Sequence, residues 1–153
     1  RGPLGWLTRD WQMNGIFTKR TGYPFAVAAR GDVCNCAAAD QTAQQVGDPW
    51  AGTVGTRQRW YNVDAFVNPA QGTFGTSGRN ILDGPGETTI NASLFRSFRF
   101  SERFRLQFRA ETFNLANHPN FGLPNAQIDN PNNGVIQGAA DGRTVQFALK
   151  LVY

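Results

Sequence analysis

The stretch Arg143-Thr-Val-Gln-Phe-Ala-Leu-Lys-Leu-Val-Tyr153 ends the chain with a nearly unbroken alternation of two kinds of residue. One side of the pattern is entirely apolar or aromatic: Val145, Phe147, Leu149, Leu151 and Tyr153. The other side carries Thr144, Gln146, Ala148 and Lys150, and only Val152 departs from the pattern. A period of two predicts a β-strand with one face in an apolar medium and the other in water.

A chain that finishes inside such a strand must pair that strand with a neighbour, as the last strand of an outer-membrane β-barrel is paired. The composition permits this interpretation, because 153 residues with 41% hydrophobic and 17% charged residues are ordinary for one folded domain. No stretch approaches the ~18 apolar residues that a spanning helix needs, whereas barrel strands need only ~10 residues of alternation. The 17 glycines and eight prolines favour turns over helices.

The sequence predicts an all-β fold with five strands, at residues 11–18, 24–30, 88–100, 104–112 and 143–153. Only residues 101–103 separate the third strand from the fourth, which is a common hairpin length and keeps both apolar sets on one face. The segments 31–87 and 113–142 lack sustained periodicity. We therefore expect antiparallel hairpins that form part of a transmembrane barrel, with long irregular extracellular loops.

Strand direction follows from the terminal strand. Bacterial barrels place the chain end and the short turns on the periplasmic side and the long loops outside. With Tyr153 periplasmic, the turns at 19–23 and 101–103 are periplasmic too. Five strands cannot close a barrel, since the smallest have eight. The chain also opens on Arg1 without a leader-like segment. We therefore expect a fragment of a larger barrel, or a chain that oligomerises to close one.

The alternation divides the strand residues into two faces. The apolar face is expected to meet lipid, through Phe104, Leu106, Phe108, Val145 and Phe147. The polar face is expected to line a water-filled lumen, through Arg99, Arg105, Gln107, Arg109, Glu111 and Lys150, although a merely solvated face is an equal alternative. Arg96 disagrees with the pattern, because an arginine on the lipid face costs about 2–4 kcal/mol near the bilayer midplane. Either Arg96 snorkels, or this face meets protein.

The net charge of +4 raises nucleic-acid binding as an alternative. However, the basic residues occupy alternate strand positions and the aromatic residues lie mainly on the opposite face, whereas a nucleic-acid platform combines both on one surface. We expect no nucleic-acid partner. No nucleophile motif and no phosphate-binding loop occurs in the sequence, so we expect neither an enzyme nor a cofactor.

Cys34, Cys36 and His118 are the remaining candidates for a ligand site. A zinc site needs about four ligands and the chain has one histidine, so a disulfide or free thiols are favoured over a metal. A disulfide ring this small is strained. His118 either contacts a ligand or packs its loop, and the second is favoured because no catalytic partner is suggested nearby.

Four stretches, in this order and spacing, resemble the C-terminal end of TonB-dependent outer-membrane receptors of the Oar-like group, which carry a carboxypeptidase-regulatory-like N-terminal domain. They are WQMNGIFTKRTGYPFAV (11–27), RWYNVDAFVNPAQGTFGTSGRNILDGPG (59–86), LFRSFRFSERFRLQFRAETFNLANHPNFGLPN (94–125) and GRTVQFALKLVY (142–153). The resemblance implies a barrel of about 22 strands with a plug domain, in the bacterial outer membrane. Such a receptor imports a nutrient with energy relayed by TonB.

The resemblance also implies the partners and the extent of this chain. Residues 1–153 would be the C-terminal part of the barrel, incompetent for transport without the rest of the barrel and the plug. The partners would be outer-membrane lipid, the TonB complex and the barrel-insertion machinery, which would recognise Tyr153 together with Leu149 and Leu151. The alternative is a soluble or extracellular β-sandwich for binding or assembly, in which both faces of the 104–112 strand are buried.

Overall fold

The computed structural model describes residues 9–37 and 40–153. Their regular elements are ten strands and one short 3-10 helix at Val63–Ala65. The strands are β1 (Trp11–Arg20), β2 (Pro24–Phe25), β3 (Ala28–Arg30), β4 (Asp40–Thr42), β5 (Gln44–Gln45), β6 (Phe66–Val67), β7 (Leu82–Asp83), β8 (Glu87–Arg99), β9 (Arg105–Phe113) and β10 (Thr144–Val152). The all-β prediction is confirmed. Among these residues, no helix is long and apolar enough to cross a membrane.

The chain divides into two compact units. The first, called the sheet unit, contains the described residues up to Lys19 together with Thr88–Pro119 and Asp141–Tyr153. The second, called the loop unit, contains Arg20–Glu87 and Asn120–Ala140. The loop unit is therefore built from the two long connections that leave the strands of the sheet unit.

The four long strands form one sheet in the order β1-β8-β9-β10. Its β8–β9 and β9–β10 pairs are antiparallel. The β1 strand also runs antiparallel to β8, because Gly15 lies beside the carbonyl of Asn91 and Arg20, at the end of β1, is ion-paired with Glu87, at the start of β8. Four of the five predicted strands thus form the expected antiparallel sheet, which is open in the part of the chain that the structure describes.

The turn between β8 and β9 is the predicted hairpin. Phe100 donates its backbone N–H to the carbonyl of Phe104 (3.0 Å), which closes a loop of three residues. The Ser101 hydroxyl accepts hydrogen bonds from the backbone of Arg103 (3.3 Å) and Phe104 (3.2 Å). These bonds satisfy the polar groups of the turn locally and fix the register in which Phe98 lies opposite Leu106.

The prediction of a barrel strand at residues 24–30 is wrong. This segment forms two short strands in the loop unit, where β2 pairs with β7 and β3 pairs with β4. A short apolar run satisfies a loop core as well as a sheet, so its hydrophobicity alone does not distinguish them. Because β1 is followed directly by the connection to β8, the turn at 19–23 lies at the same end of the sheet as both long connections. Its predicted place at the opposite end, with the 101–103 turn, is therefore also wrong.

The loop unit is largely irregular, as predicted for the loops, but it has a hydrophobic core of its own. Val27, Tyr61 and Leu82 are fully buried there, although they are far apart in sequence. Burial raises the pKa of the Tyr61 phenol above its ordinary value, and its hydroxyl donates to the side chain of Asn133. All three lie in the first long connection, and Ala126 and Ile128 of the second connection pack against this core.

Backbone hydrogen bonds join the two connections within the loop unit. Ala28 donates to the carbonyl of Ala126 (2.8 Å) and accepts from Ile128 (3.0 Å). Trp60 likewise donates to the carbonyl of Gly134 (2.8 Å). These bonds satisfy backbone groups that ordinary surface loops would leave to water, so the loop unit has the internal bonding of a folded structure.

The sandwich alternative required that both faces of the 104–112 strand be buried. The structure contradicts it, since no residue of β9 is buried and every residue of β10 is exposed. The large apolar side chains of β10 are among the most exposed of those that the structure describes, with Phe147 at 71% and Leu149 at 69%. Within the described residues, this sheet therefore has no second β-layer packed on it.

Replacing Gly75 with alanine is expected to destabilise the loop unit. An alanine Cβ there would overlap the backbone carbonyl oxygens of Thr42 and Ala43. Such overpacking costs about 1–3 kcal/mol. Hydrogen exchange at the amide of Ala43, which donates to Val27 (2.9 Å), measures the loss of protection. The matched control is Gly138→Ala, because its Cβ would meet no atom within 4 Å. Equal protection in the two variants would contradict this packing.

Candidate functional site

The register of the sheet places the predicted lipid-facing residues on one face. Phe108 lies opposite Leu149, and Leu106 opposite Leu151. Val145 and Phe147 alternate onto the same face of β10, and Phe104, just before β9, is 49% exposed. Burying each such side chain in an apolar medium stabilises the folded state by about 1.5–3 kcal/mol. We call this surface the apolar face, and exposure of its side chains to water is unfavourable.

An aromatic row crosses the apolar face. The ring of Trp11 on β1 meets the ring of Phe108 on β9 edge to face, with 6.1 Å between centroids. Phe108 in turn stacks against Phe147 on β10 at 6.3 Å. The row spans the sheet from one edge strand to the other. Aromatic pairs of this geometry contribute about 0.5–1.5 kcal/mol beyond their buried area.

Arg96 lies directly beneath this row, opposite Phe108 in the register. Its side chain is buried, with only 4% of the residue exposed. The guanidinium carbon lies 4.3 Å from the ring centroid of Phe98 and 5.3 Å from that of Trp11. A cation over an aromatic face is stabilised by the ring quadrupole, and more strongly when water is excluded. Arg96 is therefore covered by rings of its own sheet, so neither snorkelling nor another protein surface is needed to shield it.

The opposite face carries the residues predicted to line a lumen: Arg99, Arg105, Gln107, Arg109, Glu111 and Lys150. Within it, Arg109 lies over the ring of Phe95 (4.9 Å), which covers an aromatic residue that the alternation turns toward water. Glu111 lies 4.0 Å from Arg109 and accepts a hydrogen bond from Gln146 (2.6 Å). We call this surface the polar face.

A shallow concavity of about 250 Å³ lies on the polar face, lined by Gln107, Arg109, Ala148 and Lys150. Arg99 is directly opposite Arg105 at its sheet end, and like charges in that position repel. Positive charge therefore predominates toward the 101–103 end of this face, whereas Glu111 lies nearer the other end. The arrangement keeps positively charged side chains beside water.

The chain matches the family described as outer membrane beta barrel domain, over residues 1–146. The match covers almost the entire chain. The protein belongs to the outer membrane β-barrel domain family. It is therefore located in the bacterial outer membrane, and its four-stranded sheet is a section of barrel wall. No curated protein and no solved structure matches the chain significantly.

Strand β10 and the residue that follows it carry the residues predicted as an insertion signal. Leu149 and Leu151 lie on the apolar face, as their partners Phe108 and Leu106 show. Tyr153 follows the last residue of β10 and is 91% exposed. The three side chains are thus accessible at the end of the last strand, and their recognition by the insertion machinery stays a prediction.

The cysteines of the barrel domain lie in the loop unit, where Cys34 and Cys36 form a disulfide. This is one of the two states favoured from the sequence. Asp32 and Gln41, which the sequence analysis did not single out, surround the pair. The position of Asp32 only two residues before Cys34 could have indicated it. The sequence does not indicate Gln41, because the pairing of β4 with β3 is what brings this residue to the cysteines.

His118 lies in a tight turn of the sheet unit. Its backbone N–H donates to the side-chain oxygen of Asn114 (3.0 Å), and its carbonyl accepts from the amide of the same residue (3.0 Å). Asn114 is buried, with 6% exposed, and takes a left-handed conformation (φ 52°) that asparagine tolerates. These backbone contacts account for the turn structurally.

A double-mutant cycle tests the shielding of Arg96. Trp11→Leu is expected to destabilise the barrel more in the Arg96 protein than in the Arg96→Leu variant. The reason is that loss of the Trp11 ring exposes the guanidinium charge, which the Arg96→Leu variant lacks. The expected coupling between the two substitutions is about 1–2 kcal/mol in the free energy of unfolding. Urea unfolding in lipid vesicles measures it. The control cycle pairs Arg96 with Phe17, a 64% exposed residue of β1, and should show coupling near zero. Equal coupling in both cycles would contradict the contact.

Proposed function

We propose that this chain is the C-terminal part of the barrel of a TonB-dependent outer-membrane receptor that imports a nutrient. The support is the resemblance of four stretches, which together include residues of all four strands of the sheet and part of the loop unit. Membership of the outer membrane β-barrel domain family is consistent with this narrower assignment. The proposal leaves the nutrient open, and the chain alone would not transport.

In this proposal the apolar face meets lipid and the polar face borders the lumen. The observation that carries this assignment is the exposure of the apolar side chains of β10 in a sheet whose alternate side chains are charged or polar. Barrels with an aqueous or plugged interior show this division between their two faces. Arg105, Arg109 and Lys150 would then lie along the permeation path or against the plug.

The connections suggest the orientation. The short 101–103 turn lies at one end of the sheet, and the connections from β1 to β8 and from β9 to β10 both leave the other end. Barrels place short turns in the periplasm and long loops outside. The loop unit would accordingly be extracellular, and β10 would run inward to a periplasmic Tyr153.

Closure of the barrel requires strands from outside this sheet. Within the described residues, β1 and β10 each have one neighbour in the sheet, so each offers one edge for pairing. Lipid does not tolerate unpaired backbone groups. In the receptor proposal, the edges pair with the remaining strands of the same barrel rather than with another copy of this chain.

Crosslinking in intact cells tests the receptor assignment. The polypeptide that contains this chain is expected to give a crosslinked product with TonB, because TonB relays energy to such receptors by direct contact. The product should be absent from a strain that lacks TonB. A control immunoblot establishes that the polypeptide is in the outer membrane and resists unfolding in unheated detergent. An assembled barrel that gives no TonB product would contradict the receptor assignment but not the barrel.

A further inference from the structure

The connection between β3 and β4 carries a cluster of potential metal ligands that is not part of the four-stranded sheet. One ligand atom from each of Asp32, Cys34 and Cys36 lies within 4.8 Å of the other two. The two sulfurs are joined as a disulfide in this state. Left-handed backbone at Asn35 (φ 54°) and Ala37 (φ 62°) curls the segment, so that side chains close in sequence converge. Three donors are thus held at one point of the loop unit.

The carboxylate of Asp32 is fixed by backbone groups. One oxygen accepts from the N–H of Cys36 (2.8 Å), and the other accepts from the N–H of Ala37 (2.8 Å). Each carboxylate oxygen has two lone pairs, so a backbone bond orients the group and is compatible with a bond to a metal ion. The fold therefore holds this side chain in one conformation before any metal ion binds.

Gln41 brings a fourth polar group to the cluster from β4. The residue is 8% exposed, and its amide nitrogen lies 2.8 Å from the sulfur of Cys34 and 3.3 Å from Asp32. The amide oxygen is buried and has no hydrogen-bond partner in the described structure. A buried oxygen of this kind is costly unless some state of the protein uses it. Half a turn of the amide would exchange its two ends and direct the oxygen to the cysteines.

We propose that the reduced form of this cluster binds a thiophilic divalent cation, with Zn²⁺ as the reference ion. Cys34, Cys36 and Asp32 supply three ligands, and the Gln41 amide oxygen supplies the fourth. Thiolate and carboxylate are established zinc ligands in tetrahedral sites. With Zn–S bonds of about 2.3 Å, two ligands can lie no more than about 4.6 Å apart, and the cluster is already close to that size.

Reduction has to precede binding. A dithiol or phosphine reductant supplies two electrons to the disulfide, the S–S bond breaks, and two protons complete the thiols. The cation then displaces both protons as it binds two thiolates. The disulfide and the metal therefore exclude each other at the same two sulfurs. The site is a redox-gated metal site, and it does not depend on the receptor assignment.

Cobalt spectroscopy on the full 153-residue chain in detergent micelles tests the site. After phosphine reduction and removal of the reductant without air, Co²⁺ is expected to give a sulfur-to-metal charge-transfer band and the visible bands of tetrahedral cobalt. These should saturate at one equivalent, and Zn²⁺ should abolish them. The oxidised chain should show none. Absence of the bands from the reduced chain would overturn the proposal.

Variants identify the ligands. Cys34→Ser and Cys36→Ser should each remove the charge-transfer band, and Asp32→Asn should weaken Co²⁺ binding about tenfold or more. The matched control is Asp64→Asn, which changes an 80% exposed carboxylate of the same unit and should leave the affinity unchanged. Hydrogen-exchange protection at Ala43 verifies that each variant is folded. Equal Co²⁺ affinity in Asp32→Asn and Asp64→Asn would contradict this ligand set. So would a charge-transfer band that persists in Cys34→Ser or in Cys36→Ser.

Discussion

Hydrogen bonding between antiparallel strands determines which side chains face each side of the sheet, and the other features of the sheet unit depend on it. The register that pairs Phe108 with Leu149 also places Gln107 opposite Lys150. A slip by one residue in either strand would turn every charged side chain of that strand to the apolar face. At about 2–4 kcal/mol for a cation near the bilayer midplane, such a slip is too costly for a stable barrel wall. The division into an apolar and a polar face is therefore set by the same pairing as the register.

Arg96 shows how the apolar face accommodates an exception. A charged side chain there is unfavourable in lipid, but the rings of Trp11 and Phe98 cover the guanidinium. Trp11 belongs to β1 and Arg96 to β8, so the covering contact also joins the two strands. The aromatic residues of this face consequently have a structural role within the sheet. They allow one charge to remain within the wall and link neighbouring strands across it.

The sheet could be predicted from the sequence because its information is local. Strict alternation around Phe108 and Phe147 gives both strand and face, and the three residues after Phe100 give the hairpin. The loop unit could not be predicted in this way. Its core joins Val27, Tyr61 and Leu82 across long separations without any periodicity. The short apolar run at 24–30 fits either environment, so its pattern does not show that it pairs within the loop unit.

The site residues also differ in whether local sequence is enough to predict them. The two faces follow from alternation, so the predicted positions agree with the register. The cover of Arg96 and the position of Gln41 depend on pairing between strands that are distant in sequence. Side-chain pattern within one strand contains no information about either contact. A resemblance to a family gives the expected topology, but it does not give these contacts.

If β10 is part of a barrel wall, lipid and water lie on opposite faces of this strand, and nitroxide accessibility distinguishes the two faces. Single cysteines at Phe147 and Ala148, with Cys34 and Cys36 changed to serine, are labelled in the assembled barrel in a bilayer. We expect the label at 147 to collide with oxygen dissolved in lipid, and the label at 148 to collide with a water-soluble nickel chelate. Equal accessibility at the two positions, or the reverse assignment, would contradict this orientation of the sheet.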